Sequence, residues 1–142
     1  MHAMEENQMH ARLAEEKRAA TAHIGILTTA AIQIALTFVG LSVRSISLTL
    51  LLILIGLYGL SVTAKLYERS QFHILRARTL RAHLDEMCPD AQVQSLQNRA
   101  EKEHRKHYPR LTDFRLNTIW LALHALIVLI GIIETCIAYL SR

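Results

Sequence analysis

At 142 residues the chain has the length of one compact unit, yet it is 51% hydrophobic with a mean hydropathy of +0.21, high for a soluble domain. The formal net charge is +4, and two prolines and five glycines exclude an extended linker or low-complexity chain. The two cysteines, Cys88 and Cys136, fall in different environments, which excludes a disulfide framework.

Residues 1–22 are rich in Glu and read as an N-terminal amphipathic helix that is retained. A signal peptide would carry a shorter apolar core, and a second apolar block would not follow so soon. Residues 24–43 (IGILTTAAIQIALTFVGLSV) contain no charge, and neither do residues 45–64 (SISLTLLLILIGLYGLSVTA). Each block is 20 residues long. At about 1.5 Å per residue that is enough to cross a hydrocarbon core of about 30 Å.

Within the first span, Gly25, Thr29, Gln33, Thr37 and Gly40 recur every three or four residues and read as one face. Two meanings stand side by side. Small and hydroxyl residues let helices pack closely and bond locally. Alternatively, Thr29, Gln33 and Thr37 line a water-filled path in an oligomer. The second span carries Gly56, Gly59 and Thr63 on one side, a pattern of ordinary small-residue packing.

No proline, glycine or turn cluster separates the second span from the charged sequence after it. Positions 66, 70, 73, 77, 80, 84 and 87 keep the 3–4 spacing of a helix packed on another helix, with Arg69, Arg76, Arg78 and Asp85 off that seam. The second helix is therefore expected to run on to about residue 87. Cys-Pro-Asp at 88–90 ends it and places Asp90 as the cap of a second cytoplasmic helix, 90–108. That helix has a weaker stripe at Val93, Leu96 or Gln97, Ala100, His104 and His107, and Pro109 stops it. Thr112 and Asp113 can then cap a third span over 113–140.

The third span places Asn117, His124 and Gly131 at seven-residue intervals, with Glu134 toward its far end. Arg44, in the turn between the first two spans, is the natural partner for Glu134. The pair reads either as a structural clasp or as a gating or proton-sensitive element. His124 reads first as a hydrogen-bonded packing residue.

Lysine and arginine set the orientation. Three of the sixteen lie in residues 1–23, one in the turn, eleven in residues 65–115 and one at the C-terminus. The positive-inside rule then puts the N-terminus and the 65–115 segment in the cytoplasm. The expected fold is all-α: three transmembrane helices and a cytoplasmic helical hairpin that extends the second. Such a hairpin has few large apolar residues and needs the N-terminal helix or a neighbouring subunit to cover it, so a homo-oligomer is expected.

No His-Glu-x-x-His order, CxxC pair, glycine-rich phosphate loop or GxSxG appears, so neither an enzyme nor a metal or cofactor site is expected. No nucleic-acid motif is present. Arg69, His73, Arg76, Arg78 and Arg81 are the candidates for binding an activating protein or an anionic ligand, the competing reading being a positive face near anionic lipid heads.

The run KLYERSQFHILRARTLRAHLDEMCPD, with Tyr67-Glu68-Arg69, His73, Arg76-Ala77-Arg78, Arg81 and Leu84-Asp85, resembles the SLATT-type family of small bacterial membrane effectors of anti-phage and conflict systems. The resemblance covers roughly residues 45–140 and implies an oligomer that compromises the inner membrane, with positions 69, 73, 76, 78 and 81 as its sensing face. The expected function is an oligomeric inner-membrane channel or pore-forming effector gated through its hairpin. The alternative is a non-conducting scaffold that recruits a cytoplasmic partner through the same basic hairpin.

Overall fold

The structure, a computed structural model, describes residues 2–109 and 116–141. Thr112 and Asp113, read as caps of the third span, lie outside the described residues. The architecture is all-helical: α1 (His2–Val39), α2 (Ile46–Met87), α3 (Val93–His107) and α4 (Leu116–Leu140). Three helical stretches, Glu6–Val39, Val43–Met87 and Leu116–Leu140, are long and apolar enough to cross a membrane.

The N-terminal helix and the first span are one uninterrupted element of 38 residues. No helix breaker stands between residues 19 and 24, so the polar and apolar halves share one hydrogen-bond ladder. α1 stops at Val39, short of the expected residue 43, because Gly40 takes a left-handed φ of +74° while its N–H donates to the Leu36 carbonyl at 2.9 Å. A short 3-10 turn over Val43–Ser45 then reverses the chain into α2.

α2 is 42 residues long, about 63 Å, twice what a hydrocarbon core requires. It is the shared element of the fold: α1 packs along one side of it and α4 along another, while α1 and α4 touch little. The 3–4 seam read over residues 66–84 extends through the whole of α2. Thr49, Leu52, Gly56, Gly59, Thr63, Ser70 and Ala77 are all buried on it. Asn7, Ala14, Arg18, Ala22, Ile32 and Leu36 of α1 keep the same spacing, as do His124, Ile127, Gly131 and Ala138 of α4. A repeat averaging 3.5 residues is the pattern of gently supercoiled helices. Met87, at the end of the expected seam, is exposed.

Most seam residues are small, which lets backbones approach. A Cβ on Gly56 would fall 2.5 Å from Val128 Cγ2, and one on Gly131 would fall 2.8 Å from Ile53 Cγ1. Between such helices stabilisation comes from dense van der Waals contact, with little large side-chain burial. Thr135 of α4 adds a polar link, its hydroxyl 2.8 Å from that of Thr49. Large apolar side chains point outward instead, among them Ile24, Leu27, Phe38, Leu54 and Leu140. In water that surface would be a liability.

α3 is the least supported helix. Its N-terminus is capped by Asp85 of α2, which accepts the backbone N–H groups of Val93 at 2.8 Å and Gln94 at 2.7 Å. Asp90 does not perform that role: it sits in the 3-10 turn Pro89–Ala91, and the chain enters α3 only after Gln92, held at φ +44°. Of the stripe expected on α3, Val93 and Gln97 are half-buried, and Leu96, Ala100, His104 and His107 are exposed.

Candidate functional site

Functional chemistry concentrates along the seam, in two stretches of different character. The first lies in the apolar half of the bundle. His124 of α4 is buried between α1 and α2. Glycines make the room: a Cβ on Gly59 would lie 2.1 Å from His124 Nδ1, and one on Gly25 would lie 3.4 Å from Cε1. Any side chain at residue 59 would overlap the ring. Both ring nitrogens lack a hydrogen-bond partner, as does the buried hydroxyl of Thr63 one turn further along α2. An unmade hydrogen bond to a buried group costs about 1–3 kcal/mol, so these atoms mark where a water or a polar group from outside the three helices would bind. Beside it a cavity of about 420 Å³ opens between α1 and α2, lined by Thr21, Ile24, Thr28, Leu54, Tyr58 and His124.

The stripe drifts around α1 from Gly25, so that Thr29 and Gln33 stay at the edge of the packed face and Thr37 leaves it. With 3.6 residues per turn, each four-residue step overshoots by about 40°, so Thr37 lies about 120° around α1 from Gly25. Thr29 and Gln33 are half-buried, and Thr29 Oγ1 and Gln33 Nε2 are buried without partners. Thr37 is exposed and donates its hydroxyl to the Ile34 carbonyl at 2.6 Å.

Arg44 and Glu134 do not form the expected clasp. Arg44 is exposed, no ion pair joins the two, and Glu134 Oε2 is buried without a partner. Arg44 sits in the 3-10 turn Val43–Ser45 with its side chain in the open.

The second stretch lies where the seam leaves the apolar half. Arg18 of α1 is only 2% exposed, and three helices meet on it. Its Nη1 donates to Asn117 Oδ1 of α4 at 3.2 Å, and its Nη2 is in contact with the Glu15 carboxylate. The guanidinium carbon stands 5.8 Å from the Tyr67 ring centre of α2. Sequence reasoning passed over Arg18, although the spacing Ala14, Arg18, Ala22, Gly25 puts it on the buried register. About three turns nearer the start of α1, Asn7 Oδ1 is 3.1 Å from Nδ1 of His73 on α2, whose ring stacks on His10 with centres 5.1 Å apart. Burial, then the nearby His10, Arg69 and Arg76, hold the His73 pKa below the ordinary 6.5.

Four of the five basic candidates of α2 separate onto two flanks of the seam, and His73 lies between them, lining the hollows on both sides. Arg69 lines a hollow with His10, Lys17 and His73, and Arg76 lies over the Phe72 ring at 5.7 Å. On the other flank, Arg78 and Arg81 line a groove with Arg12 of α1 and Gln97 of α3. Arg81 Nη1 donates to Gln97 Oε1 at 2.5 Å, and Gln97 Nε2 donates to Glu101 at 3.0 Å. Both cysteines are free and exposed, and no cluster of potential metal ligands exists among the described residues. No protein-family model, curated protein or solved structure matches this chain.

Proposed function

We propose that the protein is a homo-oligomeric channel or pore-forming effector of a bacterial inner membrane, with its N-terminus and its α2–α3 hairpin in the cytoplasm. Continuity of the helices is the observation that supports this best. α1 and α2 pass from the polar half into the apolar half without a break, locked by one seam from Asn7 and His73 to Gly25 and Gly59. A displacement at the charged end therefore reaches His124 as the movement of two packed rods. The unpartnered polar atoms of Thr29, Gln33, Thr63 and His124 give the membrane half something to gain from such a movement. A rotation of α1 turns Thr29 and Gln33 toward a neighbouring subunit, beside the already exposed Thr37. The bias of Lys and Arg to residues 65–115 supports the orientation, and the resemblance of the 65–90 run to SLATT-type effectors supports the class.

The test is membrane potential and dye entry in bacteria expressing the chain, and ion flux from liposomes holding the purified protein. Wild-type protein should depolarise the membrane, and the pair Gln33→Leu and Thr37→Leu should remove the effect while leaving the protein in the membrane. Flux unchanged by that pair would take away the path. A second reading, a non-conducting scaffold, draws support from Arg78, which is exposed and has no acidic partner among the described residues. Charge reversal at Arg76 and Arg78 would then abolish capture of a cytoplasmic protein while the potential stays intact.

A further inference from the structure

The groove on the Arg78 flank is a site in its own right. It lies where α1, α2 and α3 meet, with a hollow of about 280 Å³ that includes Gln8, Arg12, Arg78, Arg81 and Gln97 in its lining. A second hollow of about 210 Å³ shares Arg78, Arg81 and Gln97 with it and continues between α2 and α3. Three guanidinium groups thus face one continuous space. Its acid is Glu101, at the far rim, whose carboxylate accepts a hydrogen bond from Gln97. Elsewhere the chain pairs its bases with carboxylates three residues away, Arg18 with Glu15 and Lys65 with Glu68. Among the described residues Arg12 and Arg78 have no such partner, and Arg81 is held by a neutral amide oxygen. Unneutralised arginines gathered around a concave space are the geometry that recognises phosphate oxygens bidentately.

Position along the helices decides what kind of phosphate can arrive. Arg78 lies 14 residues beyond residue 64, and Arg12 lies 12 residues before residue 24. At 1.5 Å per residue these offsets are about 21 and 18 Å, whereas a headgroup layer extends only about 5–8 Å past the hydrocarbon. A helix tilt of about 20° shortens the offsets by only about 6%. Lipid phosphates are therefore out of reach, in contrast to Lys17, Lys65 and Arg69, which stand close to the boundary. Among its described lining residues the one aromatic ring is the His73 imidazole, whose face is already taken up by His10, so recognition in the groove rests on its guanidinium groups.

We infer that the groove formed by Arg12, Arg78, Arg81 and Gln97 binds a soluble anion bearing two or more linked phosphate groups, recognised through those phosphates. Such a ligand would bridge α1, α2 and α3. α3 is otherwise tied down by the Asp85 cap and the Arg81–Gln97 bond, so ligand binding would fix α3 against the two rods that enter the membrane. This placement rests on the proposed membrane orientation and supplies the trigger that the proposed function requires.

The experiment uses the full chain in nanodiscs of neutral lipid, with inorganic tripolyphosphate as probe, read by calorimetry at physiological salt. Saturable binding is expected. Arg12→Gln and Arg78→Gln should each weaken it about tenfold or more, the effect of one lost charge-assisted contact. Arg81→Lys, which keeps the charge, should weaken it less, and Arg76→Gln, outside the groove, should leave it unchanged. Absence of saturable binding, or equal weakening by Arg76→Gln, would overturn the site. Competition by anionic phospholipid built into the discs would overturn the soluble source, and binding of a polyglutamate peptide in place of tripolyphosphate would overturn the ligand class. Ion flux through the same preparations separates the two ideas. Binding without flux upholds the groove and sinks the channel, and flux without binding does the reverse.

Discussion

The apolar and charged halves of the α1–α2 seam follow the same 3–4 repeat and solve opposite problems. In the apolar half the seam is made of Gly25, Gly56, Gly59 and other small residues, and the polar atoms it carries at Thr29, Gln33, Thr63 and His124 have no partners. In the charged half the seam carries Asn7, Arg18 and His73, and each makes a polar contact with a neighbouring element or turn, Arg18 through both terminal nitrogens while its Nε has no partner. The difference teaches where this fold is settled and where it is poised. Close backbone approach gives the apolar half its packing energy, so it tolerates a few unsatisfied groups. The charged half has little apolar area to bury and is held by specific polar contacts.

The largest effect should come from filling the His124 cradle. Gly59→Ala places a Cβ where the ring already lies, and it should lower stability by about 2–3 kcal/mol, outweighing the roughly 1 kcal/mol that alanine gains in a helix. The midpoint of denaturation in detergent would report it. Adding His124→Ala should recover most of the loss, whereas simple additivity of the two would break the cradle.

A smaller loss should follow from Glu15→Gln, which leaves Arg18 buried beside Asn117 alone. About 1–2 kcal/mol is expected, discounted because the Glu15 side chain is 43% exposed. Glu68→Gln, at the exposed Lys65 pair, should cost less than about 0.5 kcal/mol. Equal losses would remove the distinction between a seam contact and a surface one.

Acid should act on the charged half through His73. Its folded pKa lies below 6.5, so the folded state prefers the neutral ring. Stability is fully present above pH 6.5 and declines as pH falls through 6.5 toward the folded value, because the unfolded chain then binds the proton more readily. A His73→Asn variant should show a shallower decline between pH 7.5 and 5 than wild type. Parallel curves for the two would show that His73 does not carry this dependence.

The most local effect belongs to Asp85→Ala. Losing the two N–H bonds at the start of α3 should cost about 1 kcal/mol. Amide exchange should speed up within Val93–His107 while the melting of α1, α2 and α4 stays in place. A matching drop in the whole bundle would mean that α3 is part of the core.

Hydropathy and the 3–4 repeat were sufficient to read the all-helical class, three helices long and apolar enough to cross a membrane, and the continuation of α2 past residue 66. These depend on local composition and spacing, which a single helix carries within itself. Which polar residues meet was legible only in part. Asn117 and His124 stood out by their seven-residue interval, but their neighbours, Arg18 on one side and Gly59 on the other, come from different helices. The stripe from Gly25 to Thr37 misled because four-residue steps drift around a helix, and the rotation of α1 against α2 decides where the drift leaves the seam. The capping of α3 by Asp85 and the empty hand of Glu134 likewise depend on how the chain reverses. Sequence determined the rods and their apolar lengths; tertiary packing alone chose the partners, because side chains about 100 residues apart meet only after helix rotation and register have been set.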